Sequence, residues 1–318
     1  MIVQSQCTDY KLTSGELKVF ESLINSMVSS MSRLVGLRTR VVECLDCVDV
    51  FRLFTQTPCE TAWEEGGAQP PANWPSQGEI EFRNYSMRYG PEHDLSLKNI
   101  SLKIRSGERI GIVRRTGAGK SLLTRALFRL VEGDSGSILI DGVDIAALRA
   151  DGLRSNLSII PQDPTIFNGS VKANLDPLQQ YSIEDMWAAL IKADMVDVVN
   201  PKRLHDKTKK DSQDEDYTDR YMFSLARALL CKRNILVLDE ATADVDLKTD
   251  KVVHDAIHKE FARCTILTIA HRLETVMNSD RIIVMDHGTI AEFDTPDNLR
   301  KSGGLFAELI KSNDFANM

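Results

Sequence analysis

Residues 109–121 read Arg109-Ile110-Gly111-Ile112-Val113-Arg114-Arg115-Thr116-Gly117-Ala118-Gly119-Lys120-Ser121. A short apolar run leads into a glycine-rich turn that ends in Lys-Ser. A helical pattern, Ser121–Leu130, follows. Strand, turn and helix in that order are the context a phosphate-binding loop requires. Gly117 and Gly119 leave room for backbone N–H groups to turn inward on phosphates. Lys120 would reach the outer phosphates, Ser121 would hold Mg²⁺ through its hydroxyl, and the helix would aim its positive end at the same anion. The pattern GxxxxGK[ST] also asks for glycine at position 114, where this chain has Arg114. If that position needs φ > 0 or a close approach, a side chain costs about 1 kcal/mol or more. Taken alone, the imperfect motif competes with a chance Gly/Lys-rich turn.

A second stretch narrows the choice. Ile235-Leu236-Val237-Leu238-Asp239-Glu240 is an apolar run that ends in two carboxylates. A buried strand delivering Asp-Glu at its tip suits a phosphate-loop enzyme. Asp239 would orient Mg²⁺ or its waters, and Glu240 would polarise an attacking water. The alternative is an acidic helix cap after a core strand. Further apolar runs at 265–269 and 282–285, alternating with helical stretches, indicate a mostly parallel sheet covered by helices on both faces, an α/β fold. Ile80-Glu81-Phe82, Tyr85-Ser86-Met87 and Leu97–Ile104 alternate like half-buried strands. Asp286-His287-Gly288 between two apolar runs signals a hairpin.

Composition limits what the chain can be. It has 318 residues, 42% hydrophobic and 27% charged, which is ordinary globular usage and excludes collagen, a disulfide scaffold and wholesale disorder. The formal net charge of −7 argues against a nucleic-acid partner. Six scattered cysteines read as reduced thiols, and Cys44-Leu45-Asp46-Cys47 lacks the second ligand pair that a zinc site needs. No run of 18 apolar residues occurs, so no membrane span is expected. Residues 1–75 differ from the rest. Leu17–Phe54 reads as an amphipathic helix with one apolar face, either packed on its own domain or made for a membrane domain or partner protein. Gly66–Pro75, with three prolines, reads as a linker, so the expected domains are 1–75 and 76–318.

Together these residues resemble the nucleotide-binding domain of an ATP-binding cassette transporter. More narrowly, the sequence is similar to the second, C-terminal cassette of the multidrug-resistance-associated, C-subfamily exporters. The resemblance runs over residues 76–312 and rests on Gly78–Tyr89, Arg109–Ser121, Ile159–Phe167, Ser224–Asp246 and Thr268–Leu273. It implies a P-loop NTPase cassette with an N-terminal antiparallel β subdomain and a helical subdomain. It implies Mg²⁺ and ATP as cofactors, ATP hydrolysis coupled to transport, and a location on the cytoplasmic side of a membrane. The implied partners are the exporter's transmembrane domain and a second nucleotide-binding domain that supplies a signature motif.

Residue by residue, Tyr89 matches the aromatic that stacks on adenine. Arg115, Thr116, Gly117, Ala118, Gly119, Lys120, Ser121 and Leu122 match the nucleotide-holding loop. Gln162 matches the glutamine that senses Mg²⁺ and the γ-phosphate, so Ser121, Gln162 and Asp239 form the expected metal set. Glu240 and His271, with Gln162, match the catalytic set, and Asp246 matches an aspartate of the dimer interface. Leu17–Phe54 resembles the cytosolic exit of a last transmembrane helix.

The resemblance fails at one place. An LSGGQ-like signature should occupy Glu215-Asp216-Tyr217-Thr218-Asp219, and nothing of it survives. Asp211, Asp214, Glu215, Asp216 and Asp219 crowd there instead, with Lys207, Lys209 and Lys210 just upstream. A carboxylate at roughly 6 Å from a phosphate charge is repelled by about 3 kcal/mol at an effective dielectric near 20. That is the wrong sign for a clamp on a partner's ATP, so a homodimer is expected to hydrolyse ATP negligibly. The alternatives are a degenerate, non-hydrolysing ATP-binding module, or a DNA-repair-type cassette. The second is disfavoured by the missing heptads and the acidic balance.

Overall fold

A computed structural model describes residues 13–57, 67–90, 92–114, 120–167, 169–195, 217–239, 247–269 and 273–311. By internal contacts the chain divides into two units, Met1–Ala62 and Trp63–Met318.

The first unit is one long helix, α1 (Ser14–Thr55). Thr13 caps its start. The Thr13 hydroxyl accepts from the Glu16 N–H, and the Glu16 carboxylate accepts from the Thr13 N–H at 2.8 Å. This reciprocal pair satisfies two of the backbone donors that a helix start leaves open. No residue of α1 is buried. Its apolar residues are exposed, among them Phe20, Leu23, Ile24, Met27, Met31, Leu34 and Val35. Val19 and Phe20, Val41 and Val42, and Leu53 and Phe54 are consecutive, exposed pairs. Consecutive helical residues point about 100° apart, so such pairs widen the apolar face. No helix among the described residues is long and apolar enough to cross a membrane.

The second unit holds two sheets. Strands β1 (Ile80–Met87), β2 (Leu97–Ile104), β4 (Gly133–Ile140) and β5 (Val143–Asp144) form an antiparallel sheet in the order β2-β1-β4-β5. The larger sheet runs β10-β9-β3-β8-β7-β6, from β3 (Arg109–Arg114), β6 (Ser158–Ile160), β7 (Ile235–Asp239), β8 (Thr265–Ile269), β9 (Arg281–Asp286) and β10 (Thr289–Asp294). Its strands pair in parallel except for the β9–β10 hairpin. That hairpin turns through His287 and Gly288 at φ 42° and 81°, the left-handed pair of a tight two-residue connection.

Strand periodicity divides the core into faces. Ile235 and Val237 of β7, with Ile110 and Ile112 of β3, face the antiparallel sheet. Helix α2 (Lys120–Leu127) joins that layer through Leu122, Leu123, Ala126 and Leu127. Leu236 and Leu238 point the other way. They meet a helical layer of α5 (Ile183–Lys192), α6 (Tyr217–Cys231) and α7 (Leu247–Glu260). The short helices α3 (Ala150–Arg154) and α4 (Val171–Leu175) come between. A third cluster joins Val113, Ile282 and Val284 to α8 (Leu273–Met277), α9 (Pro296–Ser302) and α10 (Leu305–Lys311). Gly111 of β3 is required by this packing, because a Cβ there would lie 2.8 Å from the Val276 side chain.

Tyr85-Ser86-Met87 departs from the alternation read in the sequence. All three are buried, since β1 slips register on both neighbours between residues 82 and 87. Asn84 (φ 47°) and Asn99 (φ 50°) mark the irregularity. Residues 67–75, read as a linker, pack within the second unit. Ala68 exchanges backbone hydrogen bonds with Ala147 and Arg149, and the buried Trp74 donates to the Ile140 carbonyl at 2.9 Å.

Candidate functional site

The parallel strands set the site. β6, β7, β8 and β3 run the same way, so their carboxyl ends share one edge of the sheet. In such sheets ligands bind in the crevice outside the carboxyl ends of the strands. β3 ends at Arg114, and α2 begins at Lys120. Gln162 stands two residues past β6 and is exposed. Asp239 is the last residue of β7, half-buried and in register with Ile269 of β8. Glu240 follows Asp239 directly, and His271 lies two residues beyond β8.

Arg115, Thr116, Gly117, Ala118, Gly119, Glu240, Asp246 and His271 lie outside the described residues, as do the side chains of Lys120 and Ser121. So do Asp211, Asp214, Glu215 and Asp216 of the acidic stretch. Asp219 falls in the first turn of α6. Leu122 is 3% exposed and belongs to the core, so only its backbone is available to a ligand. Arg114 is extended backbone paired with Met285 of β9. Any residue adopts that conformation, so the cost of a positive φ does not arise at this position.

Tyr89 lies just beyond β1 and is half exposed. The Arg125 guanidinium of α2 lies over its ring, 5.6 Å from the centroid, and donates to the phenol oxygen at 3.4 Å. An open groove of about 480 Å³ adjoins, lined by Arg88, Gly90, Glu132, Gly133 and Asp134. Arg88 and Asp134 form an ion pair at 2.8 Å across it.

Arg227 of α6, which the sequence did not single out, braces the segment that follows Gln162. Its guanidinium donates to the carbonyls of Thr165 at 2.9 Å and Asn174 at 2.7 Å, and to the Asn174 amide oxygen at 3.1 Å. It also lies over the Phe167 ring, 5.8 Å from the centroid. Asn174 closes the loop, accepting from the Phe167 N–H at 2.7 Å and donating to the Phe167 carbonyl at 2.9 Å. Burial lowers the Arg227 pKa below the usual arginine value, which marks a guanidinium taken out of water. The signal was a lone arginine within the apolar run Leu225–Leu230.

Ser121, Gln162 and Asp239 offer a hydroxyl, an amide and a carboxylate. Hard oxygen donors of that kind suit Mg²⁺. All three come from segments at the carboxyl edge of the sheet, so the donor set fits the ion. Bound there, Mg²⁺ would supply charge neutralisation for a phosphate chain.

Comparison with known proteins agrees with the fold. Residues 97–243 match the ABC transporter family model. The chain is 45% identical over 285 residues to human "ATP-binding cassette sub-family C member 3", covering 89% of this chain and 18% of that protein. It is 47% identical over 252 residues to rat "ATP-binding cassette sub-family C member 2", covering 79% of this chain and 16% of that protein. The chain thus spans less than a fifth of the length of these relatives. Among solved structures, a bacterial Atm1-family ABC exporter with ATP bound is similar, with a TM-score of 0.71 and 28% identity. The match covers 95% of this chain and 53% of the exporter chain. Fold, motif order and relatives converge: the chain carries an ABC transporter nucleotide-binding domain.

Proposed function

We propose that this chain binds Mg-ATP at the carboxyl edge of its parallel sheet and serves as the second cassette of a C-subfamily exporter. The observation that carries the reading is the shared edge. The strands β3, β6, β7 and β8 are parallel neighbours, so Arg114 at the end of β3, Asp239 at the end of β7, Ile269 at the end of β8 and Gln162 just past β6 share one edge. Lys120 and the α2 N-terminus hold the phosphates, and Ser121, Gln162 and Asp239 hold Mg²⁺. Tyr89 stacks on the base. Glu240 and His271 position a water for in-line attack on the γ-phosphate. Coupling to transport runs through a transmembrane domain docked near Gln162, with the cassette on the cytoplasmic side. Nucleic acid is not a partner, in keeping with the net charge of −7.

The acidic residues between 211 and 219 favour a second reading for the partner's half of the dimer. Where a serine and glycines would clamp phosphate, carboxylates repel it. This chain then binds ATP but cannot complete another cassette's site, so it needs a different cassette to supply the signature. The purified chain is expected to show negligible steady-state ATPase activity. Mixing it with a cassette that carries an LSGGQ signature should raise turnover, and Glu240→Gln should remove the gain. Turnover by the chain alone that Glu240→Gln abolishes would contradict the reading.

A further inference from the structure

Tyr89 and Arg125 lie 36 residues apart in sequence, and the fold brings them together. Tyr89 lies two residues past the end of β1, whereas Arg125 stands on α2, the helix that starts at Lys120. Arg125 is four residues after Ser121, so the two share one helix face, a turn apart. Helical side chains lean toward the N-terminus, which carries Arg125 back over the turn that holds Ser121. Tyr89, half exposed, has little packing to fix its ring. Arg125 holds it, with the guanidinium 5.6 Å from the ring centroid and a 3.4 Å hydrogen bond to its phenol oxygen.

A flat base stacks well only on a ring held in one plane. A cation over one face is attracted by the ring quadrupole and leaves the opposite face open. The hydrogen bond to the phenol oxygen limits how that plane can tilt. We propose that Arg125 is a positioning residue for nucleotide binding: it orients Tyr89 as the base platform and ties it to the helix that receives the phosphates. This rests on the reading of Tyr89 as the residue that stacks on the base. Arg125 fixes the spacing between base platform and phosphate site without touching the phosphates itself.

The test is calorimetric titration of the full chain with Mg-ATP and, separately, with Mg-tripolyphosphate, which has phosphates but no base. Variants are Arg125→Gln, Tyr89→Ala and the double substitution. Both side chains are exposed, and a thermal melt of each variant checks the fold. Arg125→Gln is expected to weaken Mg-ATP about three- to fivefold and leave tripolyphosphate unchanged. In the Tyr89→Ala background, Arg125→Gln should have no further effect. An equal loss with tripolyphosphate would overturn the proposal, since Arg125 would then act on phosphate directly. So would tighter Mg-ATP binding, which would mean that the guanidinium occupies the face the base needs. If Tyr89→Ala weakens Mg-ATP but Arg125→Gln does not, the positioning role alone fails. If Tyr89→Ala leaves the Mg-ATP affinity unchanged, the stacking role of Tyr89 fails, and the proposal falls with it.

Discussion

Lys120→Ala is expected to weaken Mg-ATP binding by at least about a hundredfold. The lysine is the first residue of α2, directly after the loop that leaves β3. On the proposed reading, its ammonium would meet the outer phosphates where the helix N-terminus already favours an anion. Charge-assisted hydrogen bonds contribute about 1.5–3 kcal/mol each, and about 1.4 kcal/mol is tenfold in affinity. Two such bonds give the expected loss. Folding should be little affected, because the packing of α2 rests on Leu122, Leu123, Ala126 and Leu127. Isothermal titration of native and substituted chains checks both points when paired with a thermal melt. An unchanged affinity would remove the phosphate loop from the account.

Arg227→Ala is expected to cost the cassette about 3 kcal/mol. The substitution strips donors from the Thr165 carbonyl, the Asn174 carbonyl and the Asn174 amide oxygen. Leaving a buried acceptor unsatisfied costs about 1–3 kcal/mol, and loss of the contact with the Phe167 ring adds to it. For a domain of this size the melting temperature should fall by roughly 6–12 °C. Arg227→Lys should recover little, because an ammonium cannot fork between three acceptors held by two segments. The segment from Gln162 to Phe167 should lose order in the variant, seen as faster amide exchange at Phe167. A loss below about 1 kcal/mol would mean that water replaces the guanidinium at little cost.

The residues that were legible in the sequence are those whose chemistry is local. Gly117, Gly119, Lys120 and Ser121 are proposed for phosphate binding from their spacing within one turn. Asp239 stands out because four apolar residues run straight into it, and the structure places it at the end of β7. The parallel sheet followed from apolar runs alternating with helices. What stayed hidden depends on partners far along the chain. Arg227 meets Thr165, 62 residues away, and nothing near it in sequence hints at that carbonyl. The Arg125–Tyr89 contact is hidden for the same reason. The buried Ser86 defied alternation because a register shift, marked by left-handed Asn84 and Asn99, turns the strand. Its hydroxyl accepts from the Asn99 N–H at 3.0 Å, which offsets its burial.

The central claim is that this phosphate loop is live despite Arg114. Arg114 sits in extended backbone on β3, so its side chain imposes no backbone strain there. The most direct measurement is a calorimetric Mg-ATP titration of the native chain beside Arg114→Gly. The account predicts one site of micromolar to sub-millimolar affinity in the native chain, changed less than about tenfold by the glycine. No binding in the native chain, with binding restored by Arg114→Gly, would contradict it.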